Sequence, residues 1–106
     1  MKILSAFLLL MMLSLFAKAE SLTTDTLQGS WKIVAFNGAP YDDQDYWEFE
    51  GDKFFQKSSG RRVSPDQFSV VGNAIDLGYA KIRVIEFNGR SMTANMAGFK
   101  YQLEKQ

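Results

Sequence analysis

Seven two-residue turn signals constrain this chain more than any other feature. They are Asn37-Gly38, Gly51-Asp52, Ser59-Gly60, Gly72-Asn73, Gly78-Tyr79, Asn88-Gly89 and Ala97-Gly98. Short runs rich in Ile, Val, Phe, Tyr and Thr lie between them. Turns this closely spaced leave no window for a helix of ordinary length, and the intervening runs have strand composition. The pattern is that of an all-β antiparallel meander.

The turns also fix registers, because opposed residues of an antiparallel pair share a face. A turn at Gly51-Asp52 sets Glu50 against Lys53, Phe49 against Phe54 and Trp47 against Gln56. One at Gly72-Asn73 sets Val70 against Ile75, Phe68 against Leu77 and Ser69 against Asp76. Gly78-Tyr79 sets Leu77 against Ala80, Asp76 against Lys81 and Ile75 against Ile82. Ala97-Gly98 sets Met96 against Phe99, Ala94 against Tyr101 and Met92 against Leu103. In each hairpin apolar groups meet on one face and polar groups on the other.

The Asn88-Gly89 turn allows two registers, and a slip of one residue exchanges every side chain between faces. A two-residue loop would bury Lys81 and Arg83. A three-residue loop, Phe87-Asn88-Gly89, opposes Glu86 to Arg90, Val84 to Met92 and Ile82 to Ala94. Buried unpaired charge is far costlier than one exposed Ile, so the longer loop is expected, with Gly89 at positive φ and Ile85 on the outside.

One apolar face follows: Trp31, Ile33, Ala35, Trp47, Phe49, Phe54, Phe68, Val70, Ile75, Leu77, Ile82, Val84, Met92, Ala94, Met96, Phe99, Tyr101 and Leu103. About eight short strands carry it, provided that the segments near 61 and 67 form one interrupted strand. A meander that is apolar on one side must cover that side. Closing into a small up-and-down barrel does so and removes exposed edges.

Residues 1–19 stand apart from this pattern. Lys2 precedes an apolar run from Ile3 to Phe16, and Ala17-Lys18-Ala19 presents small residues where a signal peptidase reads them. At roughly 1.5 Å per residue the run reaches about 21 Å, short of a hydrocarbon core about 30 Å thick. The expectation is a cleaved secretory leader (1–19) and a single β domain (20–106), periplasmic or secreted from a bacterium. The alternative is a leader retained as an anchor. Lys2 and Lys18 would leave with the leader, turning a chain of zero formal charge mildly acidic, which favours neither nucleic acid nor anionic membranes.

The sequence has no Cys and no His. Disulfides, thiolate or imidazole catalysis, and metal or haem sites built on those residues are therefore excluded. No metal or other cofactor is expected. The domain must be held by packing alone, and its 14% aromatic content supplies large buried areas for that purpose.

Leu27-Gln28-Gly29-Ser30-Trp31 places Gly-x-Trp at the start of the first strand. This resembles the opening motif of lipocalins and fatty-acid-binding proteins. The resemblance implies that Gly29 and Trp31 close one barrel end, with a basic residue of the last strand, Lys105 or Lys100, lying across the indole. It also implies an interior able to hold a small hydrophobic ligand. A second resemblance competes: Leu-x-Gly-x-Trp followed by Phe36-Asn37-Gly38-Ala39-Pro40 is similar to the opening of META-type bacterial envelope domains.

Two functions are carried forward. In the first, the mouth opposite Trp31 binds a small hydrophobic ligand between Tyr41, Trp47, Gln56 and Tyr101. In the second, the barrel binds a basic protein as an envelope inhibitor or assembly factor, through the acidic 42–52 segment with Asp42, Asp43, Asp45, Glu48, Glu50 and Asp52. That spacing does not match a calcium loop of the EF-hand type. The carboxylates fall on the outer face or in loops, so no catalysis is expected.

Overall fold

The computed structural model describes residues 20–63 and 65–106. The proposed leader lies outside the described residues. A four-residue helix α1 (Thr24–Leu27) precedes eleven strand segments: β1 (Gly29–Phe36), β2 (Ala39–Pro40), β3 (Asp45–Glu50), β4 (Lys53–Ser58), β5 (Arg61–Arg62), β6 (Asp66–Gln67), β7 (Ser69–Val71), β8 (Ala74–Asp76), β9 (Lys81–Phe87), β10 (Ser91–Met96) and β11 (Phe99–Lys105). All pairings among them are antiparallel.

The sheet runs β5-β4-β3-β1-β11-β10-β9-β8-β7, so the first and last long strands lie side by side and the sheet curls. The segment from Arg61 to Val71 behaves as one interrupted strand. Its first part pairs with β4 through Lys57–Arg62 and Phe54–Asp66, and its last part pairs with β8 through Val70–Ile75. It therefore touches both ends of the curled sheet. Chain order equals spatial order around the curl, as an up-and-down meander requires.

The hairpin registers follow the turn chemistry. Phe49 opposes Phe54 and Trp47 opposes Gln56. Ile75 lies between Val70 and Ile82. Ala94 opposes Tyr101 and Met92 opposes Leu103. At Ala97-Gly98 both turn residues have positive φ, 54° and 84°, the twist that suits a two-residue hairpin.

Two registers depart from the sequence reading. In β1 the pairing with β11 shifts between Ile33 and Ala35. This bulge turns Ala35 away from the interior, opposite Gln102, and aligns Phe36 with Tyr101. The second departure is at Asn88-Gly89. Met92 opposes Phe87 and Thr93 opposes Glu86; the ladder then slips, so that Ala94 opposes Val84. Phe87 thus belongs to the strand, and the extra residue is Ile85. The Asn88 side chain explains the wider turn, because its Oδ1 accepts from the backbone N–H groups of both Arg90 and Ser91 at 2.9 and 2.7 Å. The inward placement of Ile82, Val84 and Ala94 survives, because beyond the one-residue bulge Ala94 opposes Val84 instead of the expected Ile82, a shift of two that keeps every face. Ile85 is 51% exposed, and Gly89 has φ +89°.

The core is contiguous, from Leu27, Trp31 and Ile33 through Trp47, Phe49, Phe54 and Phe68 to Ile75, Ile82, Val84, Met92 and Leu103. Leu27 and Phe87 are additions to the expected inner face. Phe99 is a subtraction: it lies at the rim and is 46% exposed.

Candidate functional site

The helix α1 packs beside the start of β1 and the end of β11. Thr23 caps it, accepting from the Thr26 N–H at 3.0 Å while the Thr26 hydroxyl accepts from the Thr23 N–H at 2.9 Å. The helix holds Leu27 fully buried and presents its carbonyl to Trp31 Nε1 at 2.8 Å. Trp31 has no exposed surface, and Phe87 packs on it at 5.7 Å between centroids. Lys105 Nζ lies 5.5 Å from the indole centroid and donates to the Thr26 carbonyl at 3.1 Å, so one ammonium ties helix, indole and last strand together. Gly29 has φ +119°, and a Cβ there would come within 3.3 Å of Lys105 Cε. Gly29, Trp31 and Lys105 thus lie together.

Trp47 stands directly opposite Trp31 across β1 and β3, and through Tyr101 it joins Tyr41 in an aromatic cluster around Phe36. The Phe36 ring lies 5.2 Å from Tyr101, 6.3 Å from Tyr41 and 5.5 Å from Phe99. Tyr101 packs 4.9 Å from Trp47, which meets Phe54 edge-on at 5.8 Å. Trp47 is only 1% exposed. Apart from the stacked Phe36–Phe99 pair, these rings meet tilted or edge-on. Burial pushes the Tyr101 phenol above its ordinary pKa.

Gln56 does not join this cluster. It shares a face with Trp47 by register but is exposed. It lines an outside depression of about 330 Å³ with Asp45, Tyr46, Lys57, Ser58 and Val63. An exposed amide meets water and needs no internal partner. Larger depressions, of about 470 and 460 Å³, lie over Arg90, Ser91 and Glu104 and over Gln67, Phe68 and Asp76. None of these three is lined by Tyr41, Trp47 or Tyr101.

The acidic segment is largely engaged with its own molecule. Tyr41 donates its hydroxyl to Asp45 Oδ2, and Ser58 donates to Asp45 Oδ1 at 2.6 Å. That hydrogen bond to Asp45, partial burial, and the charges of Asp45 and Asp43 push the Tyr41 phenol up to about 12. Glu48, predicted for the outer face, is only 9% exposed. Arg62 Nε donates to it at 2.7 Å and Ser30 Oγ at 3.1 Å, and Lys57 lies 3.7 Å away. Burial raises the Glu48 carboxyl, but the bonds from Arg62 and Ser30 and the two positive charges outweigh it and hold the pKa below the ordinary value. Arg62 also reaches Glu50 at 3.0 Å and lies 3.9 Å over the Phe55 ring. Asp52 accepts from Gln67 at 3.0 Å. Asp42, Asp43, Glu50 and Asp52 are the exposed acids of the segment, the last two already engaged by Arg62 and Gln67.

Arg62 is a site residue that the sequence pattern does not single out. Its role depends on a diagonal reach across β4 to β3, which local pattern does not encode. Among the described residues, no group of three or more acidic side chains converges as a metal site would require. No model of a known protein family matches the chain, and no curated protein is significantly similar to it.

Proposed function

We propose that the chain is a non-catalytic, lipocalin-like interaction barrel of the bacterial envelope, periplasmic or secreted, that binds another protein through its outer surface. One observation carries this reading. Trp47, expected at a ligand mouth, is 1% exposed, and Tyr101 packs 4.9 Å from it. An interior filled by side chains leaves the outside as the working surface, and small barrels of eight strands are often just filled in this way. The acids at Asp42 and Asp43 offer a basic partner two exposed charges.

A second reading, a small hydrophobic ligand, draws on the rim. Phe99 is 46% exposed beside Phe36 and Tyr101, so an apolar molecule has a shallow aromatic platform there. Native mass spectrometry of protein purified from its own envelope separates the two. A bound polypeptide supports the interaction barrel. A retained apolar small molecule, lost on Phe99→Ala, supports the second reading and overturns the first.

A further inference from the structure

We infer that the outer face of β7–β11 docks an acidic, partly apolar segment of another protein. This deepens the interaction-barrel reading and rests on it. The strand registers align one row of side chains across five strands: Val71, Ala74, Arg83, Asn95 and Lys100. At about 4.8 Å between strands the row spans roughly 19 Å. Val71 is 63% exposed, and Ile85, two residues along from Arg83, is 51% exposed. Arg83, Asn95 and Lys100 are exposed as well.

Charge identifies the occupant. The ion pairs among the described residues all gather on Glu48 and Glu50, on the other side of the curl. From Ser69 to the end the chain has five bases, Lys81, Arg83, Arg90, Lys100 and Lys105, against three acids, Asp76, Glu86 and Glu104. Asp76 is occupied by the Gly78 N–H at 2.8 Å and stands opposite Lys81. The face therefore offers two cations, Arg83 and Lys100, separated by an amide and flanked by two apolar side chains. Carboxylates spaced to meet the cations, with apolar side chains between them, complement it. Glu86 beside Ile85 works against a uniformly anionic bilayer but not against a patterned protein surface. Asn95 adds directional hydrogen bonding of the kind protein interfaces use.

The test uses isotope-labelled protein recovered from its own cell and an eight-residue peptide of alternating Glu and Leu as probe. Saturable amide shifts are expected at Val71, Ala74, Arg83, Ile85, Asn95 and Lys100. Affinity should fall roughly tenfold with Arg83→Glu, about 1.4 kcal/mol, and also with Ile85→Lys, while the rest of the spectrum stays that of the folded protein. Equal binding of a Gln-and-Leu peptide would overturn the inference. So would stronger Arg83-dependent binding to phosphatidylglycerol vesicles, or self-association abolished by Arg83→Glu. Shifts confined to the Phe36, Tyr41 and Phe99 rim would overturn it and leave the interaction-barrel reading standing. A native mass spectrum showing only a small-molecule adduct would remove both.

Discussion

Replacing Arg62 with Met tests how the interrupted strand is held. The substitution keeps an aliphatic stem over Phe55 but removes the donors to Glu48 at 2.7 Å and Glu50 at 3.0 Å. A hydrogen bond to a charged group contributes about 1.5–3 kcal/mol. The Arg62 side chain is 42% exposed and that of Glu48 11%, so solvent screens one partner and leaves the other buried with Ser30 and Lys57 alone. The cost falls on the Glu48 carboxylate, buried and left short of one partner, at about 1.5–2 kcal/mol. With a urea slope of about 1 kcal/mol/M for a small domain, the midpoint should fall by about 1.5 M. Glu48→Gln in the same background should recover part of it, with a coupling of about 1 kcal/mol in the double-mutant cycle. The folded Glu48 pKa is lowered, so its contribution is present above the unfolded carboxylate value and lost as pH falls through the folded one. Wild type should therefore lose more stability between neutral and acid pH than the Glu48→Gln variant. A midpoint moved by less than about 0.3 M in Arg62→Met would refute the strap.

Trp31→Ala removes a fully buried indole and orphans the Leu27 carbonyl; a loss of about 3–5 kcal/mol should leave little folded protein by circular dichroism, whereas an unchanged denaturation midpoint would remove the closure role. Gly89→Ala puts a Cβ at φ +89° and against the Glu20 side chain, so thermal stability should fall by about 1–2 kcal/mol. For Tyr41 the folded pKa lies above the unfolded one, so the contribution of its phenol is full below the unfolded value and disappears as pH rises through about 12. Ultraviolet titration should show Tyr41 ionising late, alongside the raised Tyr79 and Tyr101, and Asp45→Asn should bring the Tyr41 phenol back towards the ordinary value.

The hairpin faces were readable because side-chain period and turn chemistry are both local. Gly51-Asp52 and Ala97-Gly98 place their residues as their turns demand. The two β-bulges were not readable. One depends on β1 following both β3 and β11 while Phe36 reaches Tyr101; the other depends on how Asn88 folds its own loop and on Phe87 finding Trp31, a contact across the sheet. At the candidate site, Trp31 with Lys105 came from a motif, and Tyr41, Trp47 and Tyr101 do converge. Gln56 was placed by parity alone, and parity says nothing about how close to the rim a strand ends. The burial of Glu48 was hidden for the same reason: its cover comes from Arg62, fourteen residues away.

The central claim is that the protein's own rings fill the mouth. Titrating the protein with N-phenyl-1-naphthylamine, while following probe fluorescence and the Trp47 indole resonance, tests it most directly. The account predicts no saturable enhancement and no movement of Trp47. Saturable binding that shifts Trp47 and parts it from Tyr101 would contradict it and return the interior to the centre of the protein's function.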